Sequence, residues 1–190
     1  MTCVVGLVHE ERIWIGGDSG AVAGMNLTVR REPKVFSRGC QGSGELLIGG
    51  TSSFRMLNLL RFNLSVPELP TDPRVGSLLG YMVEEFVPAC RALFKEHGFA
   101  QKTNDAEWGG VFMVGARGEL FVIEADFQVG IPALGYAAIG AGAPYALGSL
   151  HATAGRLPRS RVSAALEAAA EFCTEVRGPF EIQDRGRGMP

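Results

Sequence analysis

Residues 1–20 read MTCVVGLVHEERIWIGGDSG. Two short, apolar, β-branched runs, TCVVGLV and RIWIGGD, are separated by the charged turn HEER, which predicts a β-hairpin. Both runs are apolar at successive positions rather than alternating, so the sheet they join is expected to be covered on both faces. Thr2 stands at the head of the first strand and Asp18 at the foot of the second. In an antiparallel pair those two ends lie side by side, so the hairpin predicts that Asp18 sits near Thr2.

Outward from this hairpin, KVFSRG and GELLIGG read as a second strand pair around the glycine-rich turn RGCQGSG. SSFRMLNLLRFNL follows the cap candidates Ser52 and Ser53 and reads as a helix, broken by SVPELPTDPR. Val75, Leu78, Leu79, Met82, Val83, Phe86, Val87, Cys90, Leu93 and Phe94 then recur at helical spacing, with Pro88 expected to kink that helix or start a new one. GGVFMVGARGELFVIEAD reads as a hairpin turning near Ala116-Arg117-Gly118, and YAAIGAG as the end of a further strand. Two helices follow, APYALGSLHATAG closed by Gly155 and RSRVSAALEAAAEFCTEV. PFEIQD is expected to be a last edge strand. Segregated blocks of strands and helices argue for an α+β fold. One domain, 1–190, is expected: strands over 1–50, helices over 51–107, strands over 108–142, helices over 143–178, and a last strand and tail over 179–190.

At 190 residues the chain is long enough for a sizeable core, and 46% hydrophobic with 20% charged residues is a globular composition. A net charge of −2 and no basic run longer than Arg30-Arg31 argue against a nucleic-acid partner. No run approaches the ~20 apolar residues of a membrane helix, and the N-terminus lacks the basic region of a signal peptide. Cys3, Cys40, Cys90 and Cys173 are far apart and form no C-x-x-C pair, which suits reduced thiols in the cytoplasm. His9, His97 and His151 are scattered without metal-ligand spacing, so no metal and no cofactor is expected. The phosphate-loop, H-E-x-x-H and G-x-S-x-G patterns are absent. GAGAPY lacks the third glycine of a dinucleotide loop and reads as a tight strand-to-helix turn.

Thr2 therefore carries the chemical interest. A small second residue normally permits removal of Met1, which would leave one residue bearing both a hydroxyl and a free α-amine. Such an amine, with a reference pKa of roughly 7.7–8.0, accepts a proton near neutral pH without a histidine. Many chains begin Met-Thr without catalysis, so the surroundings decide. Lys34, 16 residues beyond Asp18 and at the start of the next strand, could pair with Asp18. There it would hold a positive charge beside the hydroxyl, favouring the alkoxide and disfavouring protonation of the amine. Read blandly, Asp18 is a turn residue and Lys34 a solvated strand end. Cys3 as nucleophile would need loss of both Met1 and Thr2, and its side chain faces the opposite side of the strand.

Thr2, Gly17-Asp18 and Lys34, in this order and at these intervals, resemble the signature of proteasome β-subunits and HslV-type peptidases, which are N-terminal-nucleophile hydrolases. LLIGGTSSF resembles that family's strand-glycine-helix junction, AAIGAGAPYALGSL its Ile-Gly-Ser-Gly segment, and ALEAAAEFC its late helix. The resemblance implies a four-layer αββα sandwich, threonine peptidase activity, and an oxyanion hole of backbone N–H groups around Gly49 and Gly50. It also implies a substrate-binding segment at Ala141. Peptide or unfolded protein is the implied substrate, in a ring-forming homo-oligomer served by an ATP-dependent unfoldase. The family serine of Ile-Gly-Ser-Gly is Ala141 here, no clear Asp-x-x-Ser follows the C-terminal helix, and residues 65–107 fit the pattern poorly. A non-peptidase amidohydrolase on the same fold and an inactive assembly homologue are the alternatives, and Ala141 favours the latter.

Overall fold

A computed structural model of the chain describes residues 2–42, 44–70, 77–103 and 106–186. Met1, Val75 and most of the tail RGRGMP lie outside the described residues, and with them the expected loss of Met1 and the first position of the second helical pattern.

The opening hairpin consists of β1 (Val4–His9) and β2 (Arg12–Gly17), paired from Val4 opposite Gly17 to His9 opposite Arg12. Glu10 and Glu11 make its two-residue turn with φ of +49° and +58°, the left-handed pair that matches strand twist. Then come β3 (Gly20–Ala23), β4 (Asn26–Val29), β5 (Val35–Gly39) and β6 (Glu45–Gly50). The helix α1 (Phe54–Asn58) is capped by Ser53, whose hydroxyl accepts the N–H groups of Arg55 and Met56, and runs on into a π-turn, Leu59–Asn63. Next, α2 (Leu78–Tyr81) continues through a second π-turn (Met82–Phe86) into α3 (Val87–Glu96). Pro88 follows directly on the second π-turn, so the helical run passes through the proline with a change of hydrogen-bond spacing there. The remaining elements are β7 (Gln101–Thr103), β8 (Ala106–Trp108), β9 (Phe112–Ala116), β10 (Glu119–Ile123), β11 (Val129–Gly130), β12 (Tyr136–Ile139), α4 (Ala143–Ala152), α5 (Pro158–Phe172) and β13 (Glu181–Arg185).

Two antiparallel sheets carry the molecule, one ordered β12-β1-β2-β13 and the other β11-β10-β9-β6-β5. PFEIQD supplies β13, an edge strand against β2. The hairpins β3–β4 and β7–β8 and the short β11 were not expected from the sequence. Three helix ends also differ, one being that of α5, which stops at Phe172 because Cys173 is extended, short of the expected Val176. α4 stops at Ala152, before Gly155, and α5 begins at Pro158, because proline suits the first helical position.

The core has three parts. Val4, Ile13, Ile15 and Ile139 of the first sheet pack with Val35, Leu47, Met113 and Leu120 of the second or beside it. Cys3, Val5 and Leu7 face α4 and α5 through Leu150, Val162, Leu166 and Ala169. The other face of the second sheet packs on α1–α3 through Phe86, Phe94, Phe112 and Phe121. Burying each such phenylalanine contributes about 1.5–3 kcal/mol. Successive residues of β1 thus enter two different cores, which is why its sequence is apolar throughout. Among the described residues no helix is long and apolar enough to cross a membrane.

Candidate active site

The hairpin register delivers Thr2 and Asp18 to one place. The N–H of Cys3, the amide that follows Thr2, donates to Asp18 Oδ1 at 3.0 Å, and the Asp18 N–H donates back to the Cys3 carbonyl at 3.2 Å. Lys34, immediately before β5, donates from Nζ to the same Oδ1 at 2.7 Å and to the Gly20 carbonyl at 2.6 Å. The second carboxylate oxygen, Oδ2, accepts the N–H groups of Gly20 (2.9 Å) and Arg177 (3.2 Å). Thr2, Asp18 and Lys34 are 3%, 1% and 2% exposed, so the ion pair is enclosed and its partners are fixed. The bland readings, a turn aspartate and a solvated lysine, do not describe these residues.

Burial pulls the Lys34 ammonium below the ordinary lysine range, with Asp18 opposing the shift. Burial, reinforced by Asp18, pushes the Cys3 thiol up to about 12. A thiol so held is protonated at neutral pH and a poor nucleophile, and Cys3 packs toward α5 rather than toward the lysine.

The backbone supporting Thr2 comes from the turn after β12. The Gly142 N–H donates to the Thr2 carbonyl at 3.3 Å. Gly140 has φ of +93°, and a Cβ there would stand 2.2 Å from the Thr2 carbonyl oxygen and 3.1 Å from Thr51 Oγ1. Only glycine fits, both by conformation and by space. A cavity of about 470 Å³ opens on this turn, lined by Thr51, Ser52, Val111, Glu124, Ala138, Ile139, Gly140, Ala141 and Ala143. Thr2 is not among the lining residues, but its carbonyl lies against Gly140, which is. Sequence reasoning singled out Ala141 in this lining. It missed Thr51, Ser52 and Glu124, each of which reaches the cavity through tertiary packing rather than through a local pattern.

Gly49 and Gly50 are placed differently from expectation. The Gly50 N–H donates to the Lys34 carbonyl at 3.2 Å and that of Thr51 to the Val111 carbonyl at 3.0 Å. Amides alternate between the two edges of a strand, so that of Gly49 faces Met113 of β9. Free N–H groups at these two residues are therefore not available to an oxyanion. Their glycine identity has a packing cause: a Cβ at Gly49 would meet Ile15 and Val4 at 2.8 Å, and one at Gly50 would meet Leu57 at 2.5 Å. The amides of Ser52, with φ of +68°, and of Ala141 border the cavity and donate no hydrogen bond among the described residues.

No family model matches the chain, and no curated protein does. Solved structures do. Thiobacillus denitrificans BPH in complex with epoxomicin is 23% identical with a TM-score of 0.73, over 98% of this chain and 100% of that one. Eukaryotic HslV from Trypanosoma brucei is 16% identical with a TM-score of 0.65, over 96% and 98%. Anbu from Pseudomonas aeruginosa, solved as a helical assembly, is 17% identical with a TM-score of 0.65, over 97% and 81%. With its two antiparallel sheets, flanking helices and these likenesses, the chain has the fold of the HslV- and proteasome-type N-terminal-nucleophile family.

Proposed function

We propose that this protein is a threonine-type N-terminal-nucleophile hydrolase that cleaves amide bonds of peptides or unfolded protein. The observation that carries the reading is the Asp18 carboxylate, which binds Lys34 Nζ and the amide next to Thr2 through one oxygen. Once Met1 is removed, the Thr2 α-amine takes the hydroxyl proton as Oγ bonds to the substrate carbonyl carbon. The carbonyl electron pair moves onto oxygen. Lys34 offsets the developing charge on Oγ, and Asp18 is a positioning residue that holds the lysine. The oxyanion is assigned to the N–H groups of Ser52 and Ala141, and losing one such donor typically costs ~10²–10³ in turnover. The C–N bond then breaks and the amine leaves with the proton. Water, deprotonated by the α-amine, hydrolyses the resulting ester and regenerates Thr2.

The three cores support a four-layer αββα arrangement in a single domain spanning 1–190. Epoxomicin bound by the Thiobacillus protein and the helical assembly of Anbu support a peptidase and a homo-oligomer. A cytoplasmic location and an ATP-dependent unfoldase partner belong to the same reading. Ala141, in place of a family hydroxyl, favours a second one, an inactive assembly protein on the same fold. Intact mass separates them. The active protein lacks Met1 and gains one epoxyketone adduct, which Thr2→Ala abolishes together with turnover. Turnover by Thr2→Ala, or an unmodified wild-type mass, refutes the proposal. Peptide and small acyl-amide substrates tested side by side distinguish a peptidase from an amidohydrolase.

A further inference from the structure

We infer that the cavity beside Thr2 receives a cationic side chain, so that the protein prefers substrates with arginine or lysine close to the scissile amide. As a statement about substrates this rests on the role proposed for Thr2; as a statement about binding it does not. Of the nine residues lining the cavity, Glu124 alone is charged. Its carboxylate is exposed and has no ion pair or hydrogen bond among the described residues.

The backbone beneath Glu124 is fixed. The Glu124 N–H donates to the Gln128 carbonyl, the Phe127 N–H donates to the Glu124 carbonyl, and the Gln128 N–H donates to Asp126 Oδ1. Phe127 anchors the turn against Phe94, with ring centroids 6.3 Å apart. The carboxylate is therefore presented from a rigid base, with Asp126 adding a second negative charge two residues away.

The other walls suit the stem of a basic side chain. Val111, Ala138 and Ile139 are apolar, while Thr51 and Ser52 bring hydroxyls. Ser52 Oγ accepts the Val111 N–H at 3.1 Å, which fixes that hydroxyl in the wall. Long cationic side chains bury their methylenes on such surfaces and keep the charged head at a carboxylate. A second cavity of about 320 Å³ shares Glu124, Ala138 and Ile139 and continues past Ile131, Pro132 and Leu147. An apolar residue on the far side of the cationic one would sit there.

The test uses 4-aminobenzamidine, whose binding to the full chain is read by fluorescence. An ion pair to an exposed carboxylate is a weak one, so Glu124→Gln should weaken binding about fivefold, and Glu124→Lys should abolish it. Because the Glu124 side chain bonds to nothing among the described residues, both variants should keep the wild-type melting temperature. Alongside, kcat/KM for arginyl and leucyl peptide amides should favour arginine by about fivefold, close to 1 kcal/mol, and Glu124→Gln should remove the preference. No saturable amidine binding, or equal binding by wild type and Glu124→Gln, overturns the inference, as does a leucyl preference in an enzyme whose Thr2 takes the epoxyketone. Amidine binding that depends on Glu124 in a protein whose Thr2 takes no adduct upholds the cationic pocket and refutes the hydrolase.

Discussion

Replacing Asp18 by alanine tests the centre of the proposal. The carboxylate accepts four hydrogen bonds, from Lys34 Nζ and from the N–H groups of Cys3, Gly20 and Arg177. Alanine would leave an ammonium 1% exposed without its counter-charge, a loss of about 3–5 kcal/mol for a buried pair broken on one side. It would also orphan three backbone donors at about 1–3 kcal/mol each. Deprotonation of Lys34 and entry of water offset part of this, so a net loss of at least about 4 kcal/mol is expected. For a domain of this size that lowers Tm by about 8–16 °C. Asp18→Asn should do little better. Both carboxylate oxygens face donors, so in either amide orientation an NH2 group meets an N–H. Lys34→Met leaves Asp18 with its three backbone donors and should cost less than Asp18→Ala. In the double variant the charge penalty disappears, so the two losses should fall short of additivity by about 2 kcal/mol or more. Urea denaturation at pH 7 followed by circular dichroism compares these variants with the wild type. A loss below about 1 kcal/mol for Asp18→Ala, or strict additivity, would show that this carboxylate does not organise the site.

Gly140→Ala should abolish epoxyketone labelling and destabilise by roughly 3 kcal/mol or more, since the new methyl meets the Thr2 carbonyl at 2.2 Å in a left-handed conformation; wild-type labelling in that variant would contradict the placement of Thr2. Peptide hydrolysis should be bell-shaped in pH. The acid limb follows the α-amine, at or below about 8 because the Lys34 cation disfavours its protonation. The alkaline limb falls below 10.5, because burial makes Lys34 shed its proton earlier than an ordinary lysine; rates steady to pH 11 would exclude a catalytic ammonium. Cys3 should resist iodoacetamide at pH 8 in the folded protein and react after unfolding, as peptide mass mapping would reveal, since its thiol is held at about 12.

The neighbourhood of Thr2, Asp18 and Lys34 was legible because these residues sit at strand ends. A hairpin of known turn length fixes which residues lie opposite one another, so residue 18 had to approach residues 2 and 3. Lys34 followed from its place just before β5, whereas the Gly49-Gly50 pair came in only through the family resemblance of LLIGGTSSF. What those glycines do was not legible. A glycine admitting a close neighbour and a glycine offering a free N–H look the same in a sequence, and only the contacts of Ile15, Val4 and Leu57 decide. Ser52 and Glu124 meet at the cavity although they are far apart in sequence and belong to no shared motif. The β3–β4 and β7–β8 hairpins escaped notice because their residues are mostly exposed and lack a run of buried apolar positions. Pro158 behaved as a first-turn proline and set a helix start that periodicity alone put too late, whereas Pro88 sits directly after a π-turn in a continuing helical run.

The strand β2 is flanked by β1 and by β13, the first and last strands among the described residues, and Asp18 takes one of its four donors from Arg177, 159 residues away. On the ribosome, a growing polypeptide could align β1 with β2 early, yet the acid at position 18 would stay incompletely enclosed until the stretch around Arg177 had left the exit tunnel. For a hydrolase of the proposed kind, competence would thus wait on that stretch, and copies ending before it could not cleave their neighbours.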